Sequence, residues 1–179
     1  MTPASDPVDE FWQAFAAATG VRAGYEAWSF GDESRPALAD ELAHLVLDGP
    51  KRATTGLLAE YEQDGDPLPK VGDYDVILDG GGAPVCIIRS THVEVRRFGD
   101  VDDEFAWVEG EGDRSLAYWR RAHLAYYAGA GWEVDDDTEV VLVTFDKVWP
   151  VRRVTHVEAE IDGFAESPPD APPKPARGY

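Results

Sequence analysis

The chain has 179 residues, of which 44% are hydrophobic and six are tryptophan, and it carries a formal net charge of −19 from 16 Lys and Arg against 35 Asp and Glu. That is apolar material for one packed domain rather than a disordered chain, and a surface so acidic excludes tight non-specific binding to DNA. No run of about 18 apolar residues offers a membrane span, and Met1–Asp6 lacks a basic stretch followed by an apolar core, so the expectation is a cytoplasmic protein with no membrane partner.

In chain order, Val8, Phe11, Trp12 and Phe15 recur at helical spacing and predict a first helix over 8–18, ended by Gly20. Ser34, Pro36, Asp40 and Glu41 suit the start of a second helix over 36–48. Its buried face is expected to be Leu38, Leu42, Leu45 and Val46, with Gly49 as a left-handed terminator and Pro50 blocking continuation. Strands are expected over 52–58, with a bulge at Gly56, over 71–78, and from Val85 to about Phe98. The turn Asp79–Ala83 joins the last two. An acidic segment follows over 100–113, and its run 100–104, like the run 133–139, reads as a solvated loop rather than a cation site. A third helix over 115–128 is stopped by Gly129 and Gly131, and strands over 140–148 and 151–158 complete the set.

Cys86 lies in an apolar run and reads as a buried structural thiol. His44, His92, His123 and His156 have no zinc-ligand spacing, so neither metal nor cofactor is expected. Five prolines within 168–179 mark an extended tail. The organisation expected is one domain over 1–163 and a Pro-rich, disordered tail over 164–179. Few crossover helices between long strands favour an α+β fold, a mostly antiparallel β-barrel with helices packed around it.

Asp48–Gly56 stands out, because it places Lys51, Arg52, Thr54 and Thr55 at a helix-to-strand junction of an acidic chain. A lysine in a desolvated pocket can act as a base, and a neighbouring threonine hydroxyl can act as a nucleophile. A carboxylate such as Glu109 or Glu111 could orient the amine. The spacing alone favours a simpler account: Lys51 and Arg52 complement the negative end of the second helix, and the threonines are strand residues. Arg89 reads equally as a ligand contact or a solvent-facing side chain, and Arg120, His123 and Tyr126 as a pocket wall or, preferably, a packed aromatic face.

The pattern Gly49-x-Lys51-x-x-Thr54 resembles the signature of ASCH domains of the PUA-like superfamily. Val71-Gly72-Asp73 and the strand Ile87–Val95 are similar to segments of that family. The string Phe105-Ala106-x-x-Glu109-Gly110-Glu111-Gly112-Asp113-x-Ser115-Leu116-x-x-Trp119-Arg120-x-x-His123-x-x-Tyr126 resembles its longer bacterial subgroup, once a domain of unknown function. With Trp28–Gly31, the resemblance spans about 8–150.

It implies a PUA-like barrel with a cleft beside Lys51 and a link to RNA or modified bases. Some small members hydrolyse N4-acylated cytidines, and others are linked to ribonuclease activity. Carried over, the catalytic residues are Lys51, Thr54 and Glu109, with Glu111 as rival to Glu109. Arg52, Thr55, Arg89, Glu111, Arg120 and Tyr126 are the candidate ligand contacts. The expected function is a hydrolase of a modified pyrimidine nucleoside, in which Thr54 or a water attacks the amide; the alternatives are a non-catalytic binding module and a ribonuclease. Partners are a small nucleoside or short single-stranded RNA, and the chain is a monomer or homodimer.

Overall fold

The computed structural model describes residues 6–31 and 34–150. Its elements are α1 (Pro7–Thr19), β1 (Glu26–Ser29), α2 (Pro36–Leu47), β2 (Ala53–Leu57), α3 (Leu58–Asp64), β3 (Tyr74–Leu78), β4 (Pro84–Arg97), α4 (Asp103–Glu109), α5 (Leu116–Gly129) and β5 (Glu139–Trp149). The strands form one sheet in the order β1-β3-β4-β5-β2. β1 runs parallel to β3 and every other pair is antiparallel. The sheet curls into a half-barrel, so the fold is α+β and PUA-like as the sequence predicts.

Helix ends follow local chemistry. The Asp6 carboxylate accepts from the Val8 N–H at 2.9 Å, and Gly20 closes α1 in the left-handed region. Ser115 caps α5 by accepting from the Tyr118 N–H at 3.1 Å. α2 departs from expectation at both ends. Its N-cap is Arg35 rather than Ser34, and Gly49 is not left-handed. Glycine is needed at 49 for space, since a Cβ there would lie 2.9 Å from the Leu45 carbonyl oxygen. The most buried residues of α2 are Ala39, Ala43 and Val46, so small side chains bring the helix close to the sheet while the leucines flank the contact.

β2 pairs with β5 without interruption through Gly56↔Val141, so the predicted bulge is absent. Gly56 instead leaves room for the Tyr61 ring, 3.1 Å from where a Cβ would stand. α3 and α4 replace expected strand end and loop, respectively. α4 has its own signals: the Asp102 carboxylate accepts from the Phe105 N–H at 2.9 Å, and Gly110 terminates it at φ 75°. The strand predicted over 151–158 and the Pro-rich tail lie outside the described residues.

Three packed clusters hold the helices to the sheet. α2 covers one face, where Ala43 and Val46 meet Ile77, Cys86, Ile88, Phe145 and Phe30. α1 brings Trp12 and Phe15 onto Val76 and Ile87. α5 brings Trp119 and Tyr127 onto Leu57, Val140 and Leu142, with Ala106 of α4 beside them. Cys86 is buried, and burial pushes its thiol up to about 12, as suits a packing residue. Among the described residues no helix is long and apolar enough to cross a membrane.

The β3–β4 turn is locked to α2, because Gly80 donates its N–H to Asp40 Oδ1 at 2.8 Å and a Cβ on Gly80 would sit 2.2 Å from the Pro36 carbonyl oxygen. Backbone on both sides leaves no flexible group to yield. Gly80→Ala is expected to cost about 2–3 kcal/mol, read as a lower urea midpoint with an unchanged slope.

Candidate functional site

The Lys51 turn is built by two helix ends. The Lys51 N–H donates to the Leu45 carbonyl at 3.1 Å, which winds the chain back over the end of α2. The Arg52 guanidinium donates to the Val46 carbonyl at 3.1 Å and the Lys51 carbonyl at 2.5 Å, neutralising the negative end of that helix. From the other side α4 ends against the same turn. The Arg52 N–H donates to the Val108 carbonyl at 3.0 Å. Gly110 lies so close that a Cβ would come within 2.7 Å of the Pro50 carbonyl atoms and 2.8 Å of Lys51 Cα. This contact sets Glu109 and Glu111 on either side of the Lys51 side chain.

Lys51 is fully buried. Its Nζ lies 2.5 Å from Glu111 Oε1, 3.6 Å from Glu109 Oε1 and 5.0 Å from the centre of the Phe30 ring. Glu109, 1% exposed, is the hub. Its Oε2 accepts from the Thr55 hydroxyl at 2.9 Å and from the Trp119 indole N–H, and its Oε1 is 3.5 Å from His123 Nε2. Glu109 and Glu111 therefore both reach the amine, Glu109 from the interior and Glu111 from the partly exposed side.

The two threonines leave β2 by opposite faces, as strand alternation requires. Thr55 pairs in register with Leu142, whose face carries α4 and α5; Thr54 pairs with Val143, on the face shared with Phe145, α2 and Phe30. The Lys51 amine, touching both Glu109 and Phe30, bridges the two faces at the sheet edge. The remaining candidates are dispersed. Arg89 is exposed, its guanidinium 5.8 Å from the centre of the Tyr74 ring. Arg120 is paired with Asp136 and lies over Phe98 at 5.0 Å. Tyr126 packs on Tyr127, with the Arg35 guanidinium 5.5 Å from its ring centre. A groove of about 580 Å³ lined by Asp40, Glu41, His44, Leu45, Asp48 and Gly49 shares no residue with the Lys51 cluster.

In the sequence Trp119 reads as one side of the third helix, and His123 as a pocket wall or, preferably, a packed aromatic face. Trp119, His123 and Tyr127 fall at i, i+4 and i+8 on α5, and that stripe turns toward Glu109. His123 stacks on Trp119 with ring centres 4.4 Å apart. Burial pushes the Glu109 carboxyl up. The charges of His123 and Lys51, with hydrogen bonds from His123 and Trp119, overcome this and hold it at about 2. A carboxylate so firmly ionised serves as a fixed anion rather than a proton carrier.

The pH dependence follows from the sign. Glu109 ionises below its ordinary 4.5, so its contribution to stability is present above that value and is lost as pH falls toward 2. Glu109→Gln is expected to destabilise the fold by about 3 kcal/mol near pH 6, because it strands buried donors. The deficit against the parent should shrink below pH 4.5, as measured by urea unfolding of both proteins at pH 6 and pH 3.

The ASCH domain family model matches residues 26–149. The crystal structure of the ASCH domain from Lactobacillus crispatus JV V101 is similar at TM-score 0.70 and 31% identity, covering 82% of this chain and 97% of that one. That of protein EF3133 from Enterococcus faecalis V583, of the family DUF984, is similar at TM-score 0.71 and 34% identity, covering 79% and 88% respectively. No curated protein sequence matches the chain. The family match spans all five strands, the Lys51 turn, α4 and α5, so the chain belongs to the ASCH domain family, which is linked to RNA and nucleic-acid binding.

Proposed function

We propose that the protein hydrolyses a modified pyrimidine nucleoside at an exocyclic N-acyl group, with Lys51 at the centre of the site. The observation that carries this reading is the wholly buried Lys51 amine between Glu109 and Glu111, next to a strand bearing Thr54 and Thr55. A buried cation held by carboxylates is costly to assemble from packing alone, and such clusters recur where proton transfer is performed.

As the Thr54 oxygen attacks the acyl carbon and the C–N bond breaks, the Lys51 ammonium gives a proton to the departing nitrogen, and the neutral amine so formed takes the Thr54 hydroxyl proton. Water then hydrolyses the threonine ester to release the acid. Glu109 fixes the direction of the amine, held by Thr55 and Trp119. Glu111, the partly exposed partner of Lys51, is the group an incoming carbonyl displaces. The net charge of −19 supports a nucleoside-sized ligand over a polyanion, because phosphates are repelled across the surface.

Purified protein incubated with N4-acetylcytidine and, separately, with single-stranded RNA is expected to release cytidine and leave the RNA intact, as read by chromatography. Lys51→Ala should lower cytidine release at least 100-fold. Unchanged turnover in that variant removes the mechanism. Saturable nucleoside binding without turnover makes the protein a binding module, and RNA cleavage makes it a ribonuclease.

A further inference from the structure

We propose that His123 is a positioning residue of the Lys51 cluster, acting as an imidazolium that aims the Glu109 carboxylate at the Lys51 amine. This rests on the cluster being the reactive site. Both ring nitrogens of His123 face acceptors: Nδ1 is 2.9 Å from the Trp119 carbonyl oxygen and Nε2 is 3.5 Å from Glu109 Oε1. A neutral imidazole has one N–H and satisfies one of the two; only the doubly protonated ring donates to both. The ring cannot turn to change this, since it is 9% exposed and stacked on the Trp119 indole.

The charge count agrees. Glu109 and the partly exposed Glu111 face one lysine, and an imidazolium makes the charges of the set even. The groups that act on His123 are Glu109 of α4, Glu111 of the following loop, and the Trp119 carbonyl of its own helix. The ring of Tyr127 lies 6.0 Å away, while Lys51 and Thr55 reach it through Glu109. Burial lowers the imidazole's proton affinity, but Glu109 and then Glu111 outweigh it, so the group sits above its usual 6.5. Charge is thus present below that value, and the cluster becomes net negative as pH rises through the shifted midpoint.

The first test needs no substrate. In nitrogen-15 NMR of the full chain, His123 should carry protons on both ring nitrogens at pH 6.5, and Glu109→Gln should move its midpoint down by about one pH unit or more. A His123 ring that is neutral at pH 6.5, or a midpoint indifferent to Glu109→Gln, overturns the proposal. The second test uses N4-acetylcytidine turnover. Above the His123 midpoint the parent's kcat should fall about tenfold per pH unit. His123→Gln, which keeps one donor and loses the charge, should abolish that limb and lower kcat below it. A variant whose kcat is reduced equally at every pH refutes positioning by charge. If the parent shows no turnover, the hydrolase reading fails and the NMR titration alone decides the role of His123.

Discussion

The burial of one lysine amine constrains the rest of this structure. An ammonium taken wholly out of water is tolerated only when carboxylates replace its hydration. Here the replacement comes from the end of a seven-residue helix, too short to be stable by itself, and from the loop after it. α4 must therefore be docked, and its docking point is the Pro50–Arg52 turn. Gly110 permits that approach because it has no side chain and accepts φ 75°. The anion thus held is itself restrained by donors from β2 and α5, so four side chains from three segments converge on Glu109.

The acidity of the chain and the cationic turn are complementary parts of one arrangement. Arg52, which looked like a ligand contact, spends its guanidinium on the carbonyls at the end of α2, and Arg120 is held by Asp136. These cationic groups near the cluster are consequently engaged by acceptors of the chain itself. A long nucleic acid binds by neutralising phosphates with surface Lys and Arg, and this region does not present them in a row. A small, neutral ligand has no such requirement.

The sequence exposed the long elements because their patterns are regular. α1 and α5 show apolar stripes with caps at both ends, and β4 and β5 are long β-rich runs. α3 and α4 span seven residues each, less than two full turns of apolar period, and β1 is Glu-Ala-Trp-Ser at a sheet edge with no buried alternation. Lys51 was visible through its charge, and Glu109 and Glu111 through family resemblance. Thr55 was visible as a ligand contact beside Lys51 and His123 as an alternative pocket wall, but that both meet Glu109 was not visible. Thr55 meets Glu109 across 54 residues of chain, and a histidine in an aromatic stripe looks like packing until the helix is placed. Thr54 and Thr55 are adjacent in sequence yet leave opposite faces of the strand, a distinction that depends on where β2 begins.

Among the described residues β2 is the terminal strand of the sheet, hydrogen-bonded to β5 on one side only. Just before it the Arg52 N–H is taken by the Val108 carbonyl of α4, and within it the Thr55 carbonyl accepts from the Tyr127 hydroxyl of α5 at 3.3 Å. An uncovered margin is a template for another chain's strand. The helices that build the cluster, α4 and α5, thus also cover this strand against self-association. Sequence change in these helices is restrained twice, by the burial of the lysine amine and by colloidal solubility.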